Sequence, residues 1–130
     1  MKIILTILLF TVSISYSQWF VQNSGTTSNL TSLYFIDTET GYVCGDNGCL
    51  LKTTNGGTLW LPSSLDTNLH FSFITFRNAQ TGYCLGNDTD NKLLYTTNGG
   101  LNWLFKMKIP SQYLPRNIIF LNNITGYISG

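Results

Sequence analysis

Apolar and polar positions alternate along most of the chain, and they do so in blocks that recur. Leu33 and Phe35 stand at alternate positions, as do Ile74 and Phe76, and then Ile118 and Phe120. A period of two puts such side chains on one face of an extended segment, which predicts a strand over 33–36 and its counterparts. A short polar turn follows at 37–40 or 78–81. A Gly-Tyr pair then opens a second strand, predicted at 41–45, 82–86 and 126–130. The third strand is predicted at 50–54 and 93–97. It ends in Asn55-Gly56-Gly57 or Asn98-Gly99-Gly100, a hairpin signal because Asn and Gly tolerate positive φ. A fourth strand begins near Trp60 or Trp103.

The blocks form a repeat. Trp60 and Trp103 are 43 residues apart, Gly41 and Gly82 are 41 apart, and Gly82 and Gly126 are 44 apart. Four short strands in each repeat of this length predict the blades of a β-propeller. The expected fold is therefore all-β, with about two and a half blades of four antiparallel strands and an incomplete propeller. The repeat units span about 30–72, 73–115 and a truncated 116–130. The pattern reads as an N-terminal fragment of a larger propeller.

The first 17 residues break this pattern. Lys2 precedes an apolar run of about 12 residues from Ile3 to Ile14. That is too short for a membrane span of about 20 and suits a secretory signal peptide. Ser15 and Ser17 place cleavage before Gln18, leaving 18–130 as a partial propeller. The mature chain is then expected outside the cell or in the periplasm, with no stable membrane span.

Composition narrows the function. Charged residues are 10% and the net charge is +1, which gives no basic footprint for nucleic acid. Ala79 is the single alanine, as expected of strands and turns rather than helices. Secretion permits disulfides. Cys44 and Cys49 flank the turn Gly45-Asp46-Asn47-Gly48 and form a candidate cross-strand disulfide. Cys84 reads as a small buried hydrophobe.

The segments Thr53–Trp60 and Thr96–Trp103, each reading T-T-N-G-G-x-x-W, resemble the Asp-box or BNR repeat, roughly S-x-D-x-G-x-T-W. Thr53 and Thr96 stand at its Ser position, and Asn55 and Asn98 at its Asp position. Gly57, Gly100, Trp60 and Trp103 match it, while Leu59 and Asn102 replace its Thr. The longer unit, with F-x-x-x-x-x-G-Y-x-x-G before the box, is similar to propellers of the photosystem II assembly/stability-factor type. The resemblance covers about 18–130 and implies a propeller with a protein partner. In the Asp-box sialidases the boxes lie away from the chemistry. Thr53, Asn55, Gly57, Trp60, Thr96, Asn98, Gly100 and Trp103 are accordingly expected to be scaffold.

Candidate chemistry is sparse. A sialidase-like site would need clustered arginines, an activated tyrosine and acids. Arg77 and Arg116 fall at different points of the repeat, and Tyr42, Tyr83 and Tyr127 recur as packing elements. Asp37 aligns with Asn78 and Asn122 and reads as turn chemistry. His70 is the single histidine, which predicts no zinc site. Residues 87–91, Asn-Asp-Thr-Asp-Asn, alternate oxygen side chains as calcium loops begin, but lack the Gly and final Glu. No catalytic residue, metal or cofactor is expected. The favoured function is a secreted, non-enzymatic scaffold for protein binding or assembly, with glycan as a second ligand class. The alternative is the N-terminal part of a sialidase-like or other glycoside-hydrolase propeller.

Overall fold

The computed structural model describes residues 19–63, 65, 68–88, 90–122 and 124–130. The expected signal peptide over 1–17 lies outside them. Among the described residues ten strands follow in chain order. The first sheet holds β1 (Leu30–Phe35), β2 (Gly41–Gly45), β3 (Leu50–Thr53) and β4 (Leu61–Pro62). The second holds β5 (His70–Phe76), β6 (Gly82–Asn87), β7 (Asn91–Thr96) and β8 (Leu104–Ile109). A third pair is formed by β9 (Asn117–Phe120) and β10 (Gly126–Ser129). In each sheet every strand pairs antiparallel with the next in sequence. Among the described residues there is no helix.

The first strands start earlier than strict alternation indicates, at Leu30 and His70. Both carry a register shift, between Leu30 and Ser32 and between Phe71 and Phe73. A bulge of this kind breaks the period of two that marks a strand in sequence. The expected unit boundary at 72/73 consequently falls inside β5, where His70 and Phe71 already pair with Asn87 and Gly86. The shifts also turn polar groups toward the neighbouring sheet. The Thr31 hydroxyl donates to the Phe71 carbonyl, and Ser32 Oγ accepts from the Ile74 amide at 3.2 Å.

The core lies between sheets. Tyr42, Cys44 and Leu50 leave one face of the first sheet and meet Ile74, Phe76, Cys84 and Leu94 of the second. On the far face of the second sheet, Leu85 and Leu93 pack with Ile109 and Ile118, flanked by Phe73, Tyr83 and Phe120. Burying such side chains is the main favourable term in the fold.

The three cysteines are free thiols, so Cys44 and Cys49 are not bridged. The register explains why. Cys44 pairs with Leu50, whereas the Gly45 amide donates to the Cys49 carbonyl at 2.9 Å. Adjacent strand positions face opposite ways, so the two sulfurs leave from opposite faces. Cys44 instead packs in the same core cluster as Cys84. Burial, then the Cys44 sulfur, push the Cys84 thiol well up. Cys84 is thus the buried residue its position indicates.

Candidate functional site: repeat turns, the sheet interface and a polar groove

The box residues form the same hydrogen-bonded turn twice. Thr53 Oγ1 donates to Asn55 Oδ1 at 2.9 Å and accepts from the Gly57 amide at 3.0 Å. Asn55 Oδ1 also accepts from the Leu59 amide at 2.9 Å. In the second unit Thr96 Oγ1 donates to Asn98 Oδ1 at 2.9 Å and accepts from the Gly100 amide at 3.0 Å. The Asn102 amide completes that turn by donating to Asn98 Oδ1 at 3.0 Å. Leu59 and Asn102 take part through the backbone, which is why a side chain other than Thr is accommodated there. Gly57 and Gly100 have φ of 87° and 78°, a region costly for residues with a Cβ.

Thr96 is fully buried. Thr96→Val keeps its shape but leaves the Gly100 amide without its acceptor. A buried donor without a partner costs about 1–3 kcal/mol. Urea unfolding is expected to show a loss in that range, with circular dichroism of the native state unchanged.

The polar turns after the first strands are built alike. Asp37 Oδ1 accepts from the Glu39 and Thr40 amides at 2.8 and 2.6 Å. Asn78 Oδ1 accepts from Gln80 and Thr81 at 3.0 and 2.8 Å, and Asn122 Oδ1 from Ile124 and Thr125 at 2.9 and 2.8 Å. The Thr40 amide, then that of Glu39, hold the Asp37 carboxyl below the usual carboxylate range.

Above these turns an aromatic joint connects successive sheets. The Tyr42 ring stacks on Phe76, centroids 3.9 Å apart, and its hydroxyl donates to the Gly99 carbonyl at 2.8 Å. Phe76 meets Trp103 edge-on at 5.9 Å. A Cβ on Gly100 would lie 2.7 Å from the Tyr42 ring, so the second box glycine opens the space that the ring occupies. Tyr83 meets Phe120 at 4.8 Å one unit later. Trp103 is buried, whereas Trp60 is half-buried.

Burial, then the Asp37 charge, push the Tyr42 hydroxyl up to about 12. The ordinary tyrosine value is about 10. A raised folded value means that the neutral form is favoured in the native state. Its contribution is complete below about pH 10 and is lost as pH rises through 12. A near-ultraviolet phenolate titration is expected to show a late-ionising tyrosine near pH 12 that Tyr42→Phe removes. Tyr42→Phe is expected to flatten the alkaline decline in stability.

The recurring boxes supply no cluster of acids and bases. Among the described residues no three His, Cys, Asp or Glu side chains are grouped to hold a metal. In the Asn-rich hairpin, Asn87 Nδ2 donates to the Pro115 carbonyl at 3.4 Å, Asp90 pairs with Lys108, and Asn91 donates to the Tyr113 carbonyl. Its Thr89 lies outside the described residues. Asn87, Asp90 and Asn91 thus engage three separate partners.

A polar groove of about 440 Å³ does form where the three units meet, lined by Thr31, His70, Ser72, Asn87, Leu114 and Arg116. It exists because the first strands of successive sheets lie side by side, β1 against β5 and β5 against β9. His70 Nδ1 is paired with the Asp46 carboxylate, whose other oxygen accepts from Asn29 Nδ2 at 2.9 Å. Asn29, then His70, hold the Asp46 carboxyl below its ordinary value. Sequence spacing placed Arg116 and His70 in different units and gave no sign of this groove. Arg77 lies elsewhere, in a second groove with Tyr34 and Asn122.

Four-stranded antiparallel sheets, stacked face to face through a repeated aromatic joint, define a β-propeller. Comparison with known proteins then fixes the family. The chain belongs to the family described as Photosynthesis system II assembly factor YCF48, whose model matches residues 11–127. It is 34% identical over 88 residues to the chloroplastic Photosystem II stability/assembly factor HCF136 of Arabidopsis thaliana, covering 62% of this chain and 20% of that protein. It is 30% identical over 92 residues to the HCF136 of Oryza sativa subsp. japonica, covering 65% and 21%. A solved structure of YCF48 bound to D1 peptide superposes with a TM-score of 0.68 at 30% identity, covering 79% of this chain and 34% of that one. YCF48 from Cyanidioschyzon merolae gives a TM-score of 0.66 at 25% identity, covering 79% and 31%. The chain thus spans about a fifth of the curated relatives and about a third of the solved propellers.

Proposed function

We propose that the chain is a non-enzymatic propeller scaffold, exported from the cytoplasm, that binds an extended segment of a partner protein. One observation carries the reading: the likeness to a propeller of its own family solved with a peptide bound. The chain's own chemistry supports it. The box residues are spent on turns and Tyr42 and Tyr83 on packing, whereas the groove of His70, Asn87 and Arg116 offers hydrogen-bonding groups to a ligand. An extended peptide presents backbone amides and carbonyls that such a groove can pair.

The test is a fluorescence titration of the full chain with the D1 peptide and with an array of unrelated peptides. Binding that weakens on Arg116→Ala supports the reading. Failure to retain any peptide, together with hydrolysis of a sialoside, would favour the glycoside-hydrolase alternative. N-terminal sequencing of the exported product tests cleavage before Gln18.

A further inference from the structure

Beside β4 the seam between the first two sheets opens into a cleft of about 220 Å³. Both of these sheets have four strands, so the cleft is shaped between two whole blades. Leu59, Leu61 and Pro62 line it from the first blade, and Gly100 and Leu101 from the second box turn. All three leucines are exposed. Hydrogen bonds tie the two sides together. The Ser63 hydroxyl donates to the Gly100 carbonyl, and the Tyr42 hydroxyl and Lys52 Nζ both donate to the Gly99 carbonyl at 2.8 Å.

The cleft carries two polar groups with donors to spare. Lys52 is the one charged residue that lines it. Among the described residues the ion pairs are His70–Asp46 and Lys108–Asp90, and Lys52 has no carboxylate partner. An ammonium has three N–H donors, of which the Gly99 carbonyl takes one. Asn55 also lines the cleft. Its Oδ1 is engaged by Thr53 and Leu59, and its amide nitrogen has no partner among the described residues. The repeat does not require a lysine here, since Tyr95 stands at the same position of the second unit.

We infer that this cleft is a ligand site, separate from the groove of His70 and Arg116, for a carboxylate carried on an apolar body. The carboxylate pairs with Lys52 and accepts from the Asn55 amide, and the body lies among the leucines and Pro62. None of the lining residues is acidic, so an anion meets no like charge there. The size fits one side-chain-sized group, since a cavity of about 150 Å³ already holds benzene.

Amide NMR of the full chain titrated with hydrocinnamate tests this. Saturating shifts are expected at Lys52, Asn55, Leu61 and Leu101, at the millimolar concentrations that suit so small a ligand. The uncharged hydrocinnamamide should bind about tenfold more weakly, and so should the acid to Lys52→Met. In that variant the Gly99 carbonyl keeps the Tyr42 hydroxyl. Leu61→Asp is the second variant. Leu61 is exposed and lies opposite Lys52 in the register, so the introduced carboxylate should occupy the ammonium and abolish saturation. A peptide ending in Phe, with its carboxylate free, distinguishes the two sources of such a group. Binding at least as tight as that of hydrocinnamate assigns the site to a partner's C-terminus, and weaker or absent binding assigns it to free acids. Three results would overturn the inference: no saturable shift at these residues with either ligand; an amide that binds as tightly as the acid; or binding unchanged in both Lys52→Met and Leu61→Asp.

Discussion

Gly82→Ala should destabilise the chain by about 3 kcal/mol, the upper end of the usual range for overpacking a core. The added Cβ would lie 2.5–2.7 Å from three atoms of the Phe76 ring. That ring cannot give way, since it is stacked on Tyr42, lies 6.1 Å from Tyr34 and meets the edge of Trp103. The same change one unit earlier is the internal control. A Cβ on Gly41 would lie 2.7 Å from the Phe35 ring, but that ring is part-exposed and can rotate outward. Gly41→Ala should cost under about 1 kcal/mol. Urea unfolding of both variants reads the difference directly. Equal losses would mean that the glycine is required by the strand itself and not by the ring laid across it.

Tyr42→Ala should cost about 3–5 kcal/mol, as truncating a buried aromatic usually does. Tyr42 is 1% exposed, stacks on Phe76 and lies under the Lys52 ammonium, 5.4 Å from the ring centroid. Removing only its hydroxyl should cost far less, about 1 kcal/mol. The Gly99 carbonyl would keep the 2.8 Å hydrogen bond from Lys52 Nζ. Tyr127→Ala, at the exposed copy of the same position, should change stability by under about 0.5 kcal/mol. Thermal or urea unfolding of the three variants would show the order.

The repeat made the fold legible because the same residue types perform the same local task in each unit. Thr53 and Thr96 close the same turn, Asp37, Asn78 and Asn122 cap the same loop, and Gly82 lies beneath the Phe76 ring that pairs with it. All are contacts within one sheet, and short spacing carries them. What the sequence did not show depends on how sheets stack or on register. That Tyr42 stacks on Phe76 is a contact between sheets, invisible to strand periodicity. The Cys44–Cys49 expectation rested on a turn signal, but pairing Cys44 with Leu50 set the sulfurs on opposite faces. The polar groove was hidden for the same reason. Thr31, His70 and Arg116 come from three units and meet because first strands lie side by side.

A tyrosine of one sheet and a phenylalanine of the next form an energetic unit that joins successive blades. A double-mutant cycle on Tyr42 and Phe76, with each residue replaced by Ala singly and together and unfolded in urea, tests it most directly. Residues in contact couple by about 0.5–3 kcal/mol, and stacked aromatic pairs by about 0.5–1.5 kcal/mol. The account predicts a coupling energy of about 1 kcal/mol or more, the double variant losing less than the sum of the single ones. Strict additivity would contradict it, and would mean that the sheets cohere through general apolar burial rather than through this joint.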